Sequence, residues 1–405
     1  MSVKIYRLLP LLTLFAVLSL SLADARPAGA SDCRMTVPGQ QDDIRDDVKE
    51  NVKSRRSNDL SKSDNESKSE SRDGGRKVAF RYEADFEMYF DNREYNTNSP
   101  YLSKTIFGAS VAPRIGFSVN RKHSVMAGAE IQKQFGGKFS NISDGISLYY
   151  NYDDGHHRLY AGVFPREKMA GEYSEAFFSD SLNFFRQVIQ GLLYSYDGKT
   201  KTGWNVNVEA GIDWMGQYSD TERERFMIFS AGEFSTKIFT IGYNAYVYHF
   251  ASSEAVHGVM DNILVYPYFK ADFGQMLGIQ EFSLRGGWLQ SMQNDRKHGN
   301  GYLFPGGGEF SFVVRHWNVR LENKVYAGGD LMPFYDMTDD IGVQYGNSLY
   351  FGDRYYSVGS GFYDRLELSY EPRITDFLSV KVSAIAHFYN KYCGWQQMVT
   401  IKMSF

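Results

Sequence analysis

The chain ends in Met398-Val399-Thr400-Ile401-Lys402-Met403-Ser404-Phe405, and the reading of this stretch decides the fold. Val399, Ile401, Met403 and Phe405 fall on one face while Thr400, Lys402 and Ser404 fall on the other, the period of two that belongs to a β-strand. One face is apolar, the other polar, and the last residue is an aromatic. Such a strand suits a wall between lipid and water, with the aromatic at the interface.

The same alternation recurs upstream. Phe80, Tyr82, Ala84, Phe86, Met88 and Phe90 alternate with Arg81, Glu83, Asp85, Glu87 and Tyr89. Trp204, Val206, Val208, Ala210, Ile212 and Trp214 alternate with Asn205, Asn207, Glu209, Gly211 and Asp213; a third run covers Leu378 to Phe388. These runs exceed the roughly 9–11 residues that a tilted strand needs to cross the hydrocarbon, whereas strands of soluble sandwiches average about 5–6. Aromatics mark the ends of each apolar face and Ala and Val fill its middle. Composition agrees: 16% of the 405 residues are aromatic, with 29 Tyr, 30 Phe, 38 Gly and 10 Pro. A mean hydropathy of −0.41 excludes a helical membrane protein but not a barrel, since only alternate residues meet lipid. The net charge of −4 gives no reason to expect a nucleic-acid partner.

The pattern predicts an all-β, antiparallel up-and-down transmembrane barrel of about sixteen strands, near 78–90, 104–119, 123–135, 145–153, 156–164, 187–197, 202–216, 225–235, 237–250, 260–273, 279–290, 307–315, 317–327, 361–371, 377–389 and 394–405. Pro113 and Pro267 fall inside strands, where each removes a ladder donor, so bulges or kinks are expected there. Connections alternate between short turns, such as Asn120-Arg121-Lys122 and Asp153-Asp154-Gly155, and mostly longer loops, the longest at 165–186 and 328–360. Short periplasmic turns and long outer loops are the asymmetry of outer-membrane barrels.

The other end of the chain carries an export signal. Lys4 and Arg7 precede an apolar run from Leu8 to Leu22, then Ala23-Asp24-Ala25 and Ala28-Gly29-Ala30 offer cleavage sites, giving a secretory signal peptide over 1–30. Asp32 before Cys33 argues against a lipid anchor. Residues 31–77 are charged and almost free of aromatics, a disordered periplasmic linker. The two cysteines, Cys33 and Cys393, lie at opposite ends, and their spacing does not dictate a disulfide.

The terminal Phe405 resembles the signature that Gram-negative outer-membrane barrels present to their assembly machinery. The whole, with its signal peptide, sixteen strands and long third loop, resembles the general porins. That resemblance implies a third loop folded into the lumen as a constriction; the matching segment is Pro165 to Arg186, with Arg166, Glu167, Lys168, Glu172, Glu175, Asp180 and Arg186 as its charged candidates. Its Phe177, Phe178, Phe184 and Phe185 would be costly in water and should pack on the wall. Candidate wall residues are Arg81, Arg114, Arg158, Arg285, Arg315 and Arg320, set against Glu83, Asp85, Glu87, Glu130, Glu209, Asp213, Glu281 and Glu322. The resemblance further implies outer-membrane lipid and lipopolysaccharide as surroundings, the assembly machinery as a partner of the last strand, and small hydrophilic solutes as cargo. It leaves open a monomer or the trimer common among porins.

Two other classes draw on residues of the outer loops and strand ends. A barrel hydrolase would need acidic, Ser or His groups at the rim; His249, His387, Asp336, Asp339 and Asp340 lie near outer ends, but no signature spacing joins them. A saccharide-selective channel or Ca²⁺ binder would draw on Asp336 to Asp340 and on Tyr345, Tyr350, Tyr355 and Tyr356. The expectation is a passive channel for small hydrophilic solutes, with no cofactor and no enzymatic activity.

Overall fold

The computed structural model describes residues 77–405 apart from 97–100, 102, 138–144, 300, 358–360, 373 and 391. The signal peptide expected over 1–30 and the linker expected over 31–77 lie, but for Lys77, outside the described residues. Strands β1 to β8 are Val78–Tyr95, Lys104–Val119, His123–Ala129 with its continuation Ile131–Gln134, Ile146–Asp153, His157–Pro165, Val188–Lys199, Asn205–Gly216 and Arg225–Ser235. Strands β9 to β16 are Phe239–Phe250, Met260–Asp272, Glu281–Asp295, Gly306–His316, Val319–Gly328, Gly361–Tyr370, Leu378–Tyr389 and Tyr392–Ser404. Each pairs antiparallel with its sequence neighbour, and β1 pairs with β16 from Asp85↔Ser404 to Tyr95↔Gly394, which closes a sixteen-strand barrel. No strand edge is left open, as a bilayer requires.

All sixteen expected strands are present, with β1 and β11 longer at their outer ends than the pattern suggested. No bulge forms at Pro113: β3 is interrupted at Glu130, opposite the proline that lacks an N–H, yet the register is the same on both sides of the break, from Arg114↔Gly128 to Val111↔Ile131. Around Pro267 the outcome is the same. The register stays constant from Val265↔Gln290 to Tyr268↔Gly287, so the missing donor is absorbed without a bulge. A register shift does occur between Trp214 and Gly216.

Alternation sorts the side chains as expected on the outer face. Ile115, Phe117, Leu148, Ile241 and Phe269 point outward and are exposed. Aromatic pairs gird both rims: Phe80–Phe117, Phe239–Phe269 and Phe377–Phe405 toward the periplasm, Phe90–Phe107 and Trp214–Phe226 at the outer end. The inner face departs from expectation. Toward the periplasm it is polar, with Arg81, Glu83, Asp85, Glu233, Arg315, Glu322, Lys381 and Lys402. Toward the outside, β8 to β11 turn inward Met227, Phe229, Tyr246, Tyr248, Phe250, Leu264, Tyr266 and Leu289, all essentially buried. They are covered by two outer loops, 166–187 and 329–360, which fold into the barrel and contribute Phe177, Leu182, Leu331, Met332, Leu349, Tyr350 and Tyr356 to one core. Burial of a large apolar side chain is worth about 1.5–3 kcal/mol, so this contact is a substantial closure.

Candidate functional site

The third outer loop (166–187) crosses the lumen between walls of opposite charge. It starts on the acidic side. Arg166 pairs with Asp213 of β7 at 2.5 Å and donates from Nε to the Arg186 carbonyl at 2.9 Å. Lys168 reaches Glu83 of β1 at 3.1 Å. Farther along, the loop presents its carboxylates to the basic side: Glu172 to Arg285 of β11, Glu175 to Lys324 of β13, and Asp180 to Arg365 of β14 at 2.9 Å. Two wall carboxylates hold the backbone in between. Glu209 of β7 accepts hydrogen bonds from the Ala170 and Gly171 amides and the Tyr173 hydroxyl, and Glu309 of β12 accepts from Ser174 Oγ at 3.1 Å. Glu309 also accepts the Tyr356 hydroxyl at 2.6 Å, so one carboxylate joins the third loop to the seventh.

These charges are mostly neutralised by the wall rather than offered to a channel. Burial alone would raise the Glu175 carboxyl, but Lys324 and Arg365 outweigh it and hold it down at about 2. Glu167 behaves oppositely. Its surroundings in the lumen and the neighbouring Asp85 push it up to about 7, against Lys168 and Arg114. Arg186 is the exception among the loop's candidates: among the described residues it makes no ion pair, and its guanidinium lies 4.6 Å from the centre of the Phe351 ring.

The candidate wall residues divide. Arg114 is buried and central, pairing with Asp85 and, at 2.5 Å, with Glu130, with Glu167 at 3.8 Å. Arg285 joins the third loop. Arg315 pairs with Glu371 at 3.0 Å and Arg320 with Glu322 at 2.6 Å, both near the periplasmic rim and away from the loop. Arg81 and Arg158 line the periplasmic half as well. Phe405 sits on that rim, stacked on Phe377, and its amide donates to the Ala84 carbonyl at 3.0 Å. Lys324, Glu309 and Arg365 were missed in the sequence, although the alternation of β12 to β14 marks each as inward-facing.

The seventh outer loop (329–360) carries the acids and tyrosines expected to serve Ca²⁺ or sugar. Its acids are already engaged: Asp336 with Arg354 at 3.3 Å, Asp339 with the Ile341 and Val343 amides, Asp340 with Lys297. No cluster of metal-ligating side chains occurs among the described residues. Tyr345, Tyr350, Tyr355 and Tyr356 are buried in the plug and present no stacking face to solvent. His249 and His387 lie on opposite faces: His249 stacks on the outward Phe226, whereas His387 is buried in the lumen.

One further group lies on the outer face. Asn92 of β1 donates to Glu94 at 3.0 Å and to Gln397 of β16 at 2.8 Å, and accepts from Thr105 of β2 at 2.7 Å. The cluster sits one step above the Phe90–Phe107 pair on the same outward face, with Asn92 opposite Thr105.

A family model described as lipid A 3'-O-deacylase-type matches residues 71–250, less than half of the chain and ending with β9. That family is one of enzymes, and the match overturns the expectation that the protein has no enzymatic activity. No curated protein matches the chain. Solved structures similar to it include OccD3 (OpdP) of Pseudomonas aeruginosa, 9% identical with a TM-score of 0.41 over 80% of this chain and 91% of that one. OprD of the same organism is 10% identical, TM-score 0.42, over 80% and 95%. A loop-deleted OmpT, an outer membrane protein of Vibrio cholerae, is 8% identical, TM-score 0.45, over 81% and 99%. The chain is a closed antiparallel β-barrel of sixteen strands.

Proposed function

We propose that this barrel passes small hydrophilic solutes across the outer membrane, by a path that the third and seventh loops keep narrow. The observation that supports this is the third loop itself, strung across the lumen by separate ion pairs to Asp213, Glu83, Arg285, Lys324 and Arg365, with a polar vestibule between it and the periplasm. These pairs fix the loop across the lumen rather than against one wall, and the vestibule beneath it stays polar, so the loop is held without an apolar seal on its periplasmic side. The aromatic plug on the outer side limits resting flow. The refolded mature chain in a planar bilayer should give small steps in KCl, and deletion of 331–356 should enlarge them. A folded, inserted protein that stays silent with and without that deletion would overturn the proposal.

A second reading follows from the family match and the outward cluster of Asn92, Glu94, Thr105 and Gln397, all but Gln397 inside the matched span. Polar groups at headgroup height on a lipid-facing wall suit the handling of an acylated lipid, and hydrolysis of its ester is the activity the family name suggests. Fatty acid released from lipid A in proteoliposomes, and abolished by Glu94→Gln, would support it; no release would remove it.

A further inference from the structure

Where the third loop rejoins the wall at β6, a pocket of about 200 Å³ opens, lined among others by Gln132, Arg166, Phe185, Arg186, Gln190 and Trp214. Two acids also line it, Glu130 and Asp213, and both are spent. Glu130 is held by Arg114 at 2.5 Å. Asp213 accepts from Arg166 on one oxygen at 2.5 Å and from the backbone N–H of Gln190 on the other at 3.0 Å. Arg186 is the surplus cation. Burial works against its charge, and the nearby Arg225 and Arg166 add repulsion. Tyr248 and Asp213 lie near enough to favour the charge, but among the described residues Arg186 makes no ion pair, and its guanidinium lies against the Phe351 ring, a cation–π contact weaker than a charge-assisted pair with a carboxylate. The side-chain amides of Gln187 and Gln190, which also line the pocket, hydrogen-bond to nothing among the described residues. Phe185, Val188, Trp214 and Met215 supply an apolar wall beside these donors.

We infer that this pocket binds a small organic anion, its carboxylate on Arg186 and its short apolar tail against Phe185 and Trp214. The charge on Arg186 supplies the anchor, the glutamine amides satisfy the remaining carboxylate lone pairs, and the pocket volume limits the tail to a few carbons. This site goes beyond solute passage: it is defined by equilibrium binding, whether or not the barrel conducts.

The test uses the refolded mature chain in detergent, with hexanoate as the probe and neutral hexanamide of the same shape as its control. Saturation-transfer NMR titrations should show saturable hexanoate binding, at least tenfold tighter than hexanamide and weakening as salt rises. Arg186→Gln should weaken hexanoate at least tenfold while leaving hexanamide unchanged. Arg186→Lys should retain part of the preference, and Arg158→Gln, which removes a cation from the periplasmic half, should leave it intact. Equal binding of the two probes by the unaltered chain would overturn the inference, and this comparison does not depend on any variant folding. So would hexanoate binding that survives Arg186→Gln. Binding without conductance would reject the channel and keep this site; conductance with no preference for hexanoate would do the reverse.

Discussion

The ring of Tyr355, in the seventh loop, lies face to face with Tyr363 of β14, centroids 4.5 Å apart and planes 4° from parallel. It also covers His387 of β15 at 4.7 Å. Tyr363 and His387 are joined edge to edge, hydroxyl to Nδ1 at 2.9 Å, and the chain of hydrogen bonds continues through Gln396 to Asp91. The wall thus offers a braced flat platform on which one loop residue sits. Tyr355→Ala should cost about 3–5 kcal/mol, the range for truncating a buried aromatic, with an aromatic-pair share of about 0.5–1.5 kcal/mol. Urea unfolding should show that loss, and Tyr355→Phe should show little of it. Single-channel steps of the alanine variant should be larger than those of the unaltered chain.

The pair of Lys324 and Glu175 makes a second prediction. Both side chains are largely buried, with exposures of 6% and 18%. Removing one member of a buried pair leaves the other uncompensated, at a cost of about 3–5 kcal/mol. Lys324→Met should therefore destabilise strongly, and Glu175→Gln added to it should restore most of the loss. A double-mutant cycle by urea unfolding measures the coupling. Additive effects would mean that water or Glu322, 3.9 Å from Lys324, replaces the partner.

The barrel was legible because a period of two is written locally: each strand's inward and outward residues lie next to one another in the sequence. Phe80 to Phe90 and Leu378 to Phe388 announce themselves without reference to the rest. The plug was not legible. Tyr246, Tyr248 and Tyr266 were simply alternate residues of ordinary strands, and nothing local tells a tyrosine facing water from one facing a folded loop. The pairs Lys324–Glu175 and Arg365–Asp180 join residues 149 and 185 positions apart, so their chemistry exists only once the barrel has closed. The third loop's apolar content did give the direction, since Phe177 and Phe184 needed cover and found it, although Phe185, expected to pack with them, stays exposed.

Phe405 closes the cylinder as well as ending the chain. Its amide and carbonyl both bond Ala84 of β1, at 3.0 and 3.2 Å, and its ring stacks on Phe377 at 5.3 Å. Deleting Phe405 removes both hydrogen bonds at the seam and the rim aromatic. The expected outcome is a lower yield of folded barrel in cells, read as loss of the fast-migrating, heat-modifiable band on gels. Phe405→Tyr should keep that band, because its ring and backbone still serve.

Proton uptake should tighten the plug. Glu167 is pushed up to about 7 by its surroundings in the lumen and by Asp85, and burial pushes Asp353 up to about 6 against the Tyr355 amide and Arg93. In a loop withdrawn to water, both carboxyls would titrate near about 4. The packed loops therefore bind more protons than withdrawn loops between these values, and linkage makes packing most favourable at low pH and weaker as pH rises through about 6 to 7. Glu175, held down at about 2, stays ionised over that window and contributes no change. Conductance should then be larger at about pH 8 than at about pH 5. Glu167→Gln with Asp353→Asn should flatten the difference toward the low-pH value, since the amides mimic the protonated carboxyls. Recordings in which the unaltered chain conducts equally at both values, or better in acid, would contradict the assignment of these two groups.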